Sequence, residues 1–164
     1  MSDADGLVTP GDDQPVPAGE FIRPPGMRSD GEDAGFWEGV SEGELRVQAC
    51  SACGRLRFPP RPMCPSCRSF ERNWRVVSGK GTVWSFAVPH PPLLPAYAAL
   101  APYNVIVVSL SEDDTIRMVG NLVEGSGAAI NSVDPETIRI GEPVEVVYRD
   151  AGGFMMPAWQ RERS

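Results

Sequence analysis

The sequence has 164 residues, of which 17 are glycine and 17 are proline, so it leaves little room for long helices and predicts a β-rich domain with a small appended module. Its net charge of −7 is uneven: eleven acids against two arginines give −9 over residues 1–45, residues 46–80 carry +7, and the remainder carries −5. The N-terminus lacks a basic region followed by an apolar run, so we expect a cytoplasmic protein with reduced cysteines.

Residues 1–32 combine glycine, proline, aspartate and serine with very few large apolar side chains. Burial of so little apolar surface cannot offset the conformational entropy that ordering would cost. We therefore expect a flexible, acidic and proline-rich tail or linker over residues 1–32.

The next segment, DAGFWEGVSEGEL, begins at Asp33 and predicts a brief amphipathic helix. Three glycines weaken such a helix in isolation, so it needs a surface to pack against. The side chains expected on its packing face are Phe36, Trp37, Val40 and Leu45.

Four cysteines form two C-x-x-C pairs, Cys50 with Cys53 and Cys64 with Cys67, separated by ten residues. Each pair can form a tight turn that directs two sulfurs at one ion, and four sulfur ligands complete a tetrahedron with no position left for water. We predict a structural zinc ribbon that, with the preceding helix, occupies residues 33–75. An iron site with the same ligands and two disulfides are the alternatives.

Residues 46–80, which include the cysteines, hold seven arginines and one lysine, and these can balance the negative charge of a four-thiolate site or contact an external anion. The apolar residues Leu56, Phe58 and Met63 are expected to give the ribbon a small core of its own.

From Trp74 onwards the pattern changes to short runs of β-branched and aromatic residues separated by glycines. Five strand-length runs in about eighty residues predict a small antiparallel barrel of the OB type over residues 76–160. The predicted runs are WRVVS, GTVWSFAV, NVIVVSL, TIRMVGNLV and PVEVVYR.

Residues 81–111 contain no charged side chain, but five prolines interrupt the segment, so it is not expected to span a membrane. Residues 89–103, here named the apolar loop, are difficult to bury within so small a fold and are therefore candidates for contact with a partner. Its candidate contact residues are His90, Leu93, Leu94, Tyr97 and Tyr103.

The ordered set of motifs resembles one known family. FWEG, C-x-x-C-G, Arg-Phe-Pro-Pro-Arg, C-P-x-C, Ser-Gly-x-Gly-Thr-Val, Pro-Tyr-x-Val and Ile-Gly-x-Pro-Val-Glu-Val occur in this order across residues 33–159. The chain is similar in this to the zinc-ribbon/OB-fold acyl-CoA-associated proteins known as domain of unknown function thirty-five.

The resemblance implies a non-catalytic partner of a thiolase-superfamily enzyme, whose barrel assists in binding the coenzyme A thioester. It further implies a thiolase or a thiolase-like retro-aldolase of steroid side-chain degradation as partner, with a hotdog-fold enoyl-CoA hydratase as another. The four cysteines match the family's metal ligands. Arg61 matches the family signature that follows the first C-x-x-C pair, and Arg57 lies close to it in the sequence. The contact of these two arginines stays open between a partner, a coenzyme A phosphate and an internal carboxylate.

Two other functions are compatible with parts of the sequence. Zinc ribbons and OB barrels both serve single-stranded nucleic-acid binding, although a sequence pI near 4.7 disfavours a polyanion over most of the surface. An enzyme in its own right would have to use His90 with Tyr97 or Tyr103, and no base held by an orienting group is evident.

Overall fold

A single helix precedes the ribbon and packs on its sheet. The computed structural model describes residues 31–163, so residues 1–30 of the expected tail lie outside the described part. Helix α1 spans Ala34–Glu42 and ends at Gly43, whose left-handed φ of 78° lets the amides of Gly43 and Glu44 bond to the carbonyls of Val40 and Gly39. The helix is thus shorter than expected, and Leu45 belongs to the following strand.

The glycines of α1 permit close packing. A Cβ at Gly35 would lie 2.3 Å from the Trp74 ring, and one at Gly39 would lie 2.7 Å from the Arg46 side chain. The residues that weaken the isolated helix are therefore the ones that let it approach the ribbon.

The ribbon is a three-stranded antiparallel sheet with the order β2-β1-β3. Its strands are β1 Leu45–Cys50, β2 Leu56–Arg57 and β3 Arg72–Val77. The run WRVVS was expected in the barrel, but its residues Trp74–Val77 belong to β3 and pair with β1, with Gln48 opposite Trp74. This is a correction of strand membership, because periodicity within a strand does not identify its neighbour.

The second sheet has five strands in the order β6-β5-β4-β7-β8, all paired antiparallel. The fifth strand, β8, was missed by the sequence analysis because it contains Pro157, which is tolerated at the edge of a sheet. The strands are β4 Lys80–Ala87, β5 Val105–Leu110, β6 Arg117–Gly120, β7 Pro143–Asp150 and β8 Met155–Arg161; a short helix α2, Pro95–Ala98, lies in the apolar loop and a 3-10 turn spans Pro135–Thr137.

The five-stranded sheet curls so that its two edges meet. After β6, Leu122 forms a parallel bridge with Trp159 of β8, and the Val123 amide donates to the Trp159 carbonyl at 2.7 Å. The chain is therefore mainly β, with one short helix and a ribbon followed by an OB-like barrel, as the sequence predicts.

One hydrophobic core joins the ribbon to the barrel. Phe36 and Val40 of α1, with Val47 of β1, belong to the same buried cluster as Ile106 and Trp159 of the barrel. Leu56 and Phe58 pack against this shared core, whereas Met63 is 43% exposed. The expected separate core of the ribbon is therefore not formed by these three residues.

Candidate metal centre and apolar loop

The first cysteine pair occupies a tight turn at the end of β1. The Gly54 amide donates to the Cys50 carbonyl at 2.8 Å, and the Cys50 amide donates to the Arg55 carbonyl at 3.0 Å. Gly54 has a φ of 75°, a left-handed conformation that glycine adopts without steric cost.

The second pair repeats this geometry in a loop. The Arg68 amide donates to the Cys64 carbonyl at 2.9 Å, and the Cys64 amide donates to the Ser69 carbonyl at 2.9 Å. Arg68 takes the place of Gly54, with a φ of 61° although it is not glycine. The two turns are thus equivalent in backbone geometry and differ in the residue that bears the left-handed conformation.

The two turns bring all four sulfurs together. The Sγ atoms of Cys50 and Cys67 lie 3.5 Å apart, those of Cys53 and Cys64 lie 3.7 Å apart, and all four lie within 4.8 Å of one another. Zinc–sulfur bonds of about 2.3 Å define a tetrahedron with edges of about 3.8 Å. The distances exceed a disulfide bond of about 2.05 Å, and the four thiols are free, so the arrangement fits a structural metal site.

Electrostatics within the cluster favour a bound cation. The backbone amides of Cys67 and Ser66 lower the pKa of Cys64 to about 6. The Ser69 amide lowers the pKa of Cys67, but the sulfurs of Cys50, Cys53 and Cys64 together with burial outweigh it, and the pKa of Cys67 rises to about 11. Four sulfurs this close together cannot all lose their protons unless a positive ion takes the place of those protons. Metal binding and thiol deprotonation are therefore coupled.

The two arginines expected to contact a partner or a phosphate lie in different environments. Arg61 is exposed, and its backbone amide donates to Gln48 Oε1 at 3.0 Å. Arg57 is only 4% exposed, so its side chain does not project from the ribbon as an open contact would require.

The apolar loop presents some of its expected contact residues and buries one. His90 is exposed, Leu94 is 60% exposed, and Leu93 and Tyr97 are half-buried. Tyr103 is 8% exposed, and its ring centroid lies 5.8 Å from that of Tyr97. Tyr103 is therefore a buried neighbour of Tyr97, which differs from the expectation that it is itself a surface anchor; burial also raises the pKa of its hydroxyl.

A buried asparagine fixes the end of the apolar loop. Asn104 Nδ2 donates to the Leu122 carbonyl at 2.9 Å, and its Oδ1 accepts from the Leu122 amide at 2.7 Å. This pair ties the loop to the segment that closes the barrel. Asn104 was not predicted as a functional residue, although a polar residue directly before an apolar strand is a signal that the sequence contains.

An exposed patch on the outer face of the barrel was also not predicted from the sequence. Trp84 is 55% exposed, and the Arg117 guanidinium carbon lies 4.9 Å from the centroid of its ring. Val119, on the edge strand β6, is 67% exposed. Strict alternation along β4 and β6 could have indicated these outward side chains.

Across residues 31–163, no helix has the length and hydrophobicity needed to cross a bilayer.

Two protein-family models match the chain. Residues 37–71 match "ChsH2, rubredoxin-like zinc ribbon domain", and residues 74–149 match "ChsH2, C-terminal OB-fold domain". A DUF35 domain-containing scaffold protein of Methanothermobacter thermautotrophicus is 35% identical over 106 residues, which cover 64% of this chain and 71% of the relative. The chain belongs to the DUF35 family.

Two further proteins that resemble this DUF35 chain are named as a subunit of an acyl-CoA hydratase and as part of an aldolase. It is 37% identical over 140 residues to the "3-oxo-4,17-pregnadiene-20-carboxyl-CoA hydratase alpha subunit" of Mycobacterium tuberculosis, covering 85% of this chain but 40% of that protein's length. It also matches a chain of the solved "Ltp2-ChsH2(DUF35) aldolase" with a TM-score of 0.63 and 33% identity, over 79% of this chain and 93% of that one.

Proposed function

We propose that this chain is a non-catalytic partner of a thiolase-superfamily acyl-CoA enzyme, which is a retro-aldolase acting on a steroid side-chain acyl-CoA. In this proposal the chain assists assembly of the complex and binding of the coenzyme A thioester, in the cytoplasm. The observation that carries it is the 33% identical match to the DUF35 chain of an aldolase over 93% of that chain.

The apolar loop supports a docking role. The loop contains an exposed leucine, Leu94, and an exposed imidazole, His90, and it has no charged residue. The hydrogen bonds of Asn104 hold the end of the loop against the barrel. Large apolar groups that become desolvated contribute most of the energy of protein interfaces. Leu93, Leu94 and Tyr97 are therefore the proposed anchors.

The surroundings of His90 support a non-catalytic role. Among the described residues, no carboxylate or hydroxyl hydrogen-bonds to the imidazole, so nothing orients it as a general base. Of the two tyrosines considered as its counterpart in an enzyme, Tyr97 and Tyr103, the second is buried against the ring of the first.

We further propose that the metal is zinc and that its role is structural. Four thiolates leave no open coordination position, so the metal would supply folding free energy to the ribbon rather than chemistry to a substrate. The M. tuberculosis relative, named as a hydratase subunit, supports a hotdog-fold enoyl-CoA hydratase as a second partner of this chain.

Co-expression with a thiolase-like aldolase, followed by size-exclusion chromatography, tests the docking role. We expect co-elution of the wild-type chain and its loss in the double variant Leu93→Asp and Leu94→Asp, with zinc content unchanged. Ile140→Asp is the matched control, because Ile140 is 68% exposed and lies outside the apolar loop.

Three results would contradict the proposal. If the wild-type chain does not associate with any thiolase-like enzyme, the proposed function is wrong; if the double variant still co-elutes, the loop is not the docking surface. Turnover of an acyl-CoA by the pure chain would show that it is an enzyme in its own right.

A further inference from the structure

The outer edge of β3 is an open strand edge of six residues. In the ribbon, β3 lies at the end of the order β2-β1-β3 and pairs with β1, whereas the opposite edge strand, β2, has only two residues. The two edges of the barrel, in contrast, meet where Leu122 and Val123 bond to Trp159 of β8. An edge as long as β3 can accept a further strand.

The backbone of β3 is free on this side. Apart from the pairing with β1, no backbone hydrogen bond among residues 31–163 involves residues 72–77. In an antiparallel pair, alternate residues direct their N–H and C=O groups away from the partner strand. Because Asn73, Arg75 and Val76 are exposed, an incoming strand can reach these groups.

The side chains of β3 give the edge a positive charge and an apolar spot. Arg72 and Arg75 are exposed, and the strand has no acidic residue. Within residues 31–163, Arg75 forms no ion pair, and Arg72 has only the half-exposed carboxylate of Glu32 at 3.2 Å, a kind of pair that contributes little stability. Val76 is 55% exposed.

We propose that this edge binds an extended acidic segment of a partner protein, which adds to β3 as a fourth, antiparallel strand of the ribbon sheet. Strand addition takes its affinity from main-chain hydrogen bonds and its specificity from alternate side chains. Arg72 and Arg75 are three residues apart, so they point to opposite faces of the sheet. The segment therefore carries one acidic residue on each face, with apolar residues opposite Trp74 and Val76.

A second copy of this chain fits the edge less well. It would bring two further arginines to the same edge, and like charges on facing strands are destabilising. An acidic segment instead complements the ribbon, since residues 46–80 carry a charge of +7. The edge belongs to the ribbon and the apolar loop to the barrel, so this site is separate from the docking surface proposed above.

NMR titration of the isotope-labelled, zinc-loaded full chain with short peptides tests the site without any partner enzyme. Its result is therefore independent of the proposed function. The probe is the capped peptide Thr-Val-Glu-Val-Thr-Glu, whose glutamates fall opposite Arg75 and Arg72 in the antiparallel register. We expect saturable amide shifts confined to β3 and the adjoining β1, together with slower amide exchange in β3.

Two matched peptides separate strand addition from charge attraction. Thr-Val-Glu-Pro-Pro-Glu keeps both charges, but one of its two adjacent prolines removes an N–H that would bond to β3. It should bind about tenfold more weakly. Thr-Val-Lys-Val-Thr-Lys keeps the strand-forming residues with the opposite charge and should not bind.

Variants of the chain locate the site. Arg75→Glu should weaken binding of the acidic peptide about tenfold, because an attraction is replaced by a repulsion. Arg55→Glu is the control: Arg55 is an exposed ribbon arginine that directly precedes β2, on the other side of the sheet, and its replacement changes the charge equally. Zinc content must be the same in all variants.

Four outcomes would overturn the proposal. Absence of saturable shifts in β3 would exclude the site, and equal binding of the double-proline peptide would reduce it to charge attraction, as would equal weakening by Arg55→Glu. If every amide of β3 exchanges slowly before peptide is added, the edge is already occupied by residues 1–30 or by a second copy. Elution volumes at two protein concentrations distinguish these two occupants.

Discussion

The tip of the ribbon, residues 50–70, and the barrel, β4 to β8, differ in what fills the space between their backbone segments. At the tip, Met63 is 43% and Phe70 67% exposed, and the four sulfurs lie at the centre. In the barrel, Ile106 and Val108 are fully buried around Trp159. A tip too small to bury apolar side chains needs a metal to hold it, whereas the barrel is held by its core.

The largest expected effect is loss of the metal. Cys64→Ser should remove metal from the purified protein and unfold the tip, because structural zinc supplies on the order of 10–16 kcal/mol to such modules. Metal analysis and amide hydrogen exchange measure the two effects, and exchange in β5 should remain slow. Ser66→Ala, between the same two cysteines, is the control; full metal content in the Cys64 variant would contradict the assignment.

The second effect concerns the barrel alone. Trp159→Ala should lower the free energy of unfolding by about 3–5 kcal/mol, because a large ring would leave a cavity where the barrel closes. Urea denaturation measures the loss, and zinc content should stay the same. Trp84→Ala, at the exposed tryptophan, should cost about 1 kcal/mol or less. Equal losses in the two variants would show that closure at Trp159 does not organise the core.

A smaller effect distinguishes the two cysteine turns. Gly54→Ala should lower the free energy of unfolding by about 1 kcal/mol, because a side chain in the left-handed conformation is penalised. Arg68→Ala should change it by less than about 0.5 kcal/mol, since a side chain is already present in that conformation. Urea denaturation at constant zinc compares the two, and a larger loss at Arg68 would mean that its guanidinium, rather than its backbone, stabilises the turn.

The smallest effect is a pH dependence at the junction of ribbon and barrel. Burial raises the pKa of Glu112, but the bond from the Ser78 amide at 2.6 Å, the Ser78 hydroxyl, the Glu112 amide and the charge of Arg75 together outweigh it, and the pKa is lowered. A lowered folded-state pKa contributes stability above the unfolded value of about 4.3 and loses it as the pH falls through the folded value. Melting temperatures in this acidic range should therefore fall less steeply for Glu112→Gln than for the wild type, at equal zinc content. Parallel curves would exclude a role for this carboxylate.

The local motifs were readable from the sequence because each depends on neighbours in the chain. The spacing of the cysteines specifies two turns of equivalent geometry, which the structure brings together within 4.8 Å. Alternating β-branched residues specify strands, but they do not specify which strand lies alongside, so the run at Trp74 was assigned to the wrong sheet. Pro157 concealed β8 because its tolerance depends on an edge position that exists only in the folded sheet.

The sequence by itself determined the two cysteine turns, the β-rich class and the charge-free loop, since residue type and short-range spacing are enough for each. The tertiary structure alone decided that Tyr103 is buried against the Tyr97 ring, that one core joins ribbon and barrel, and that the donors of Arg57 and Gln48 are buried side by side without acceptors among residues 31–163. Burial and pairing of this kind arise from contacts between residues distant in the chain, and those contacts are set by the packing of whole elements rather than by any local pattern.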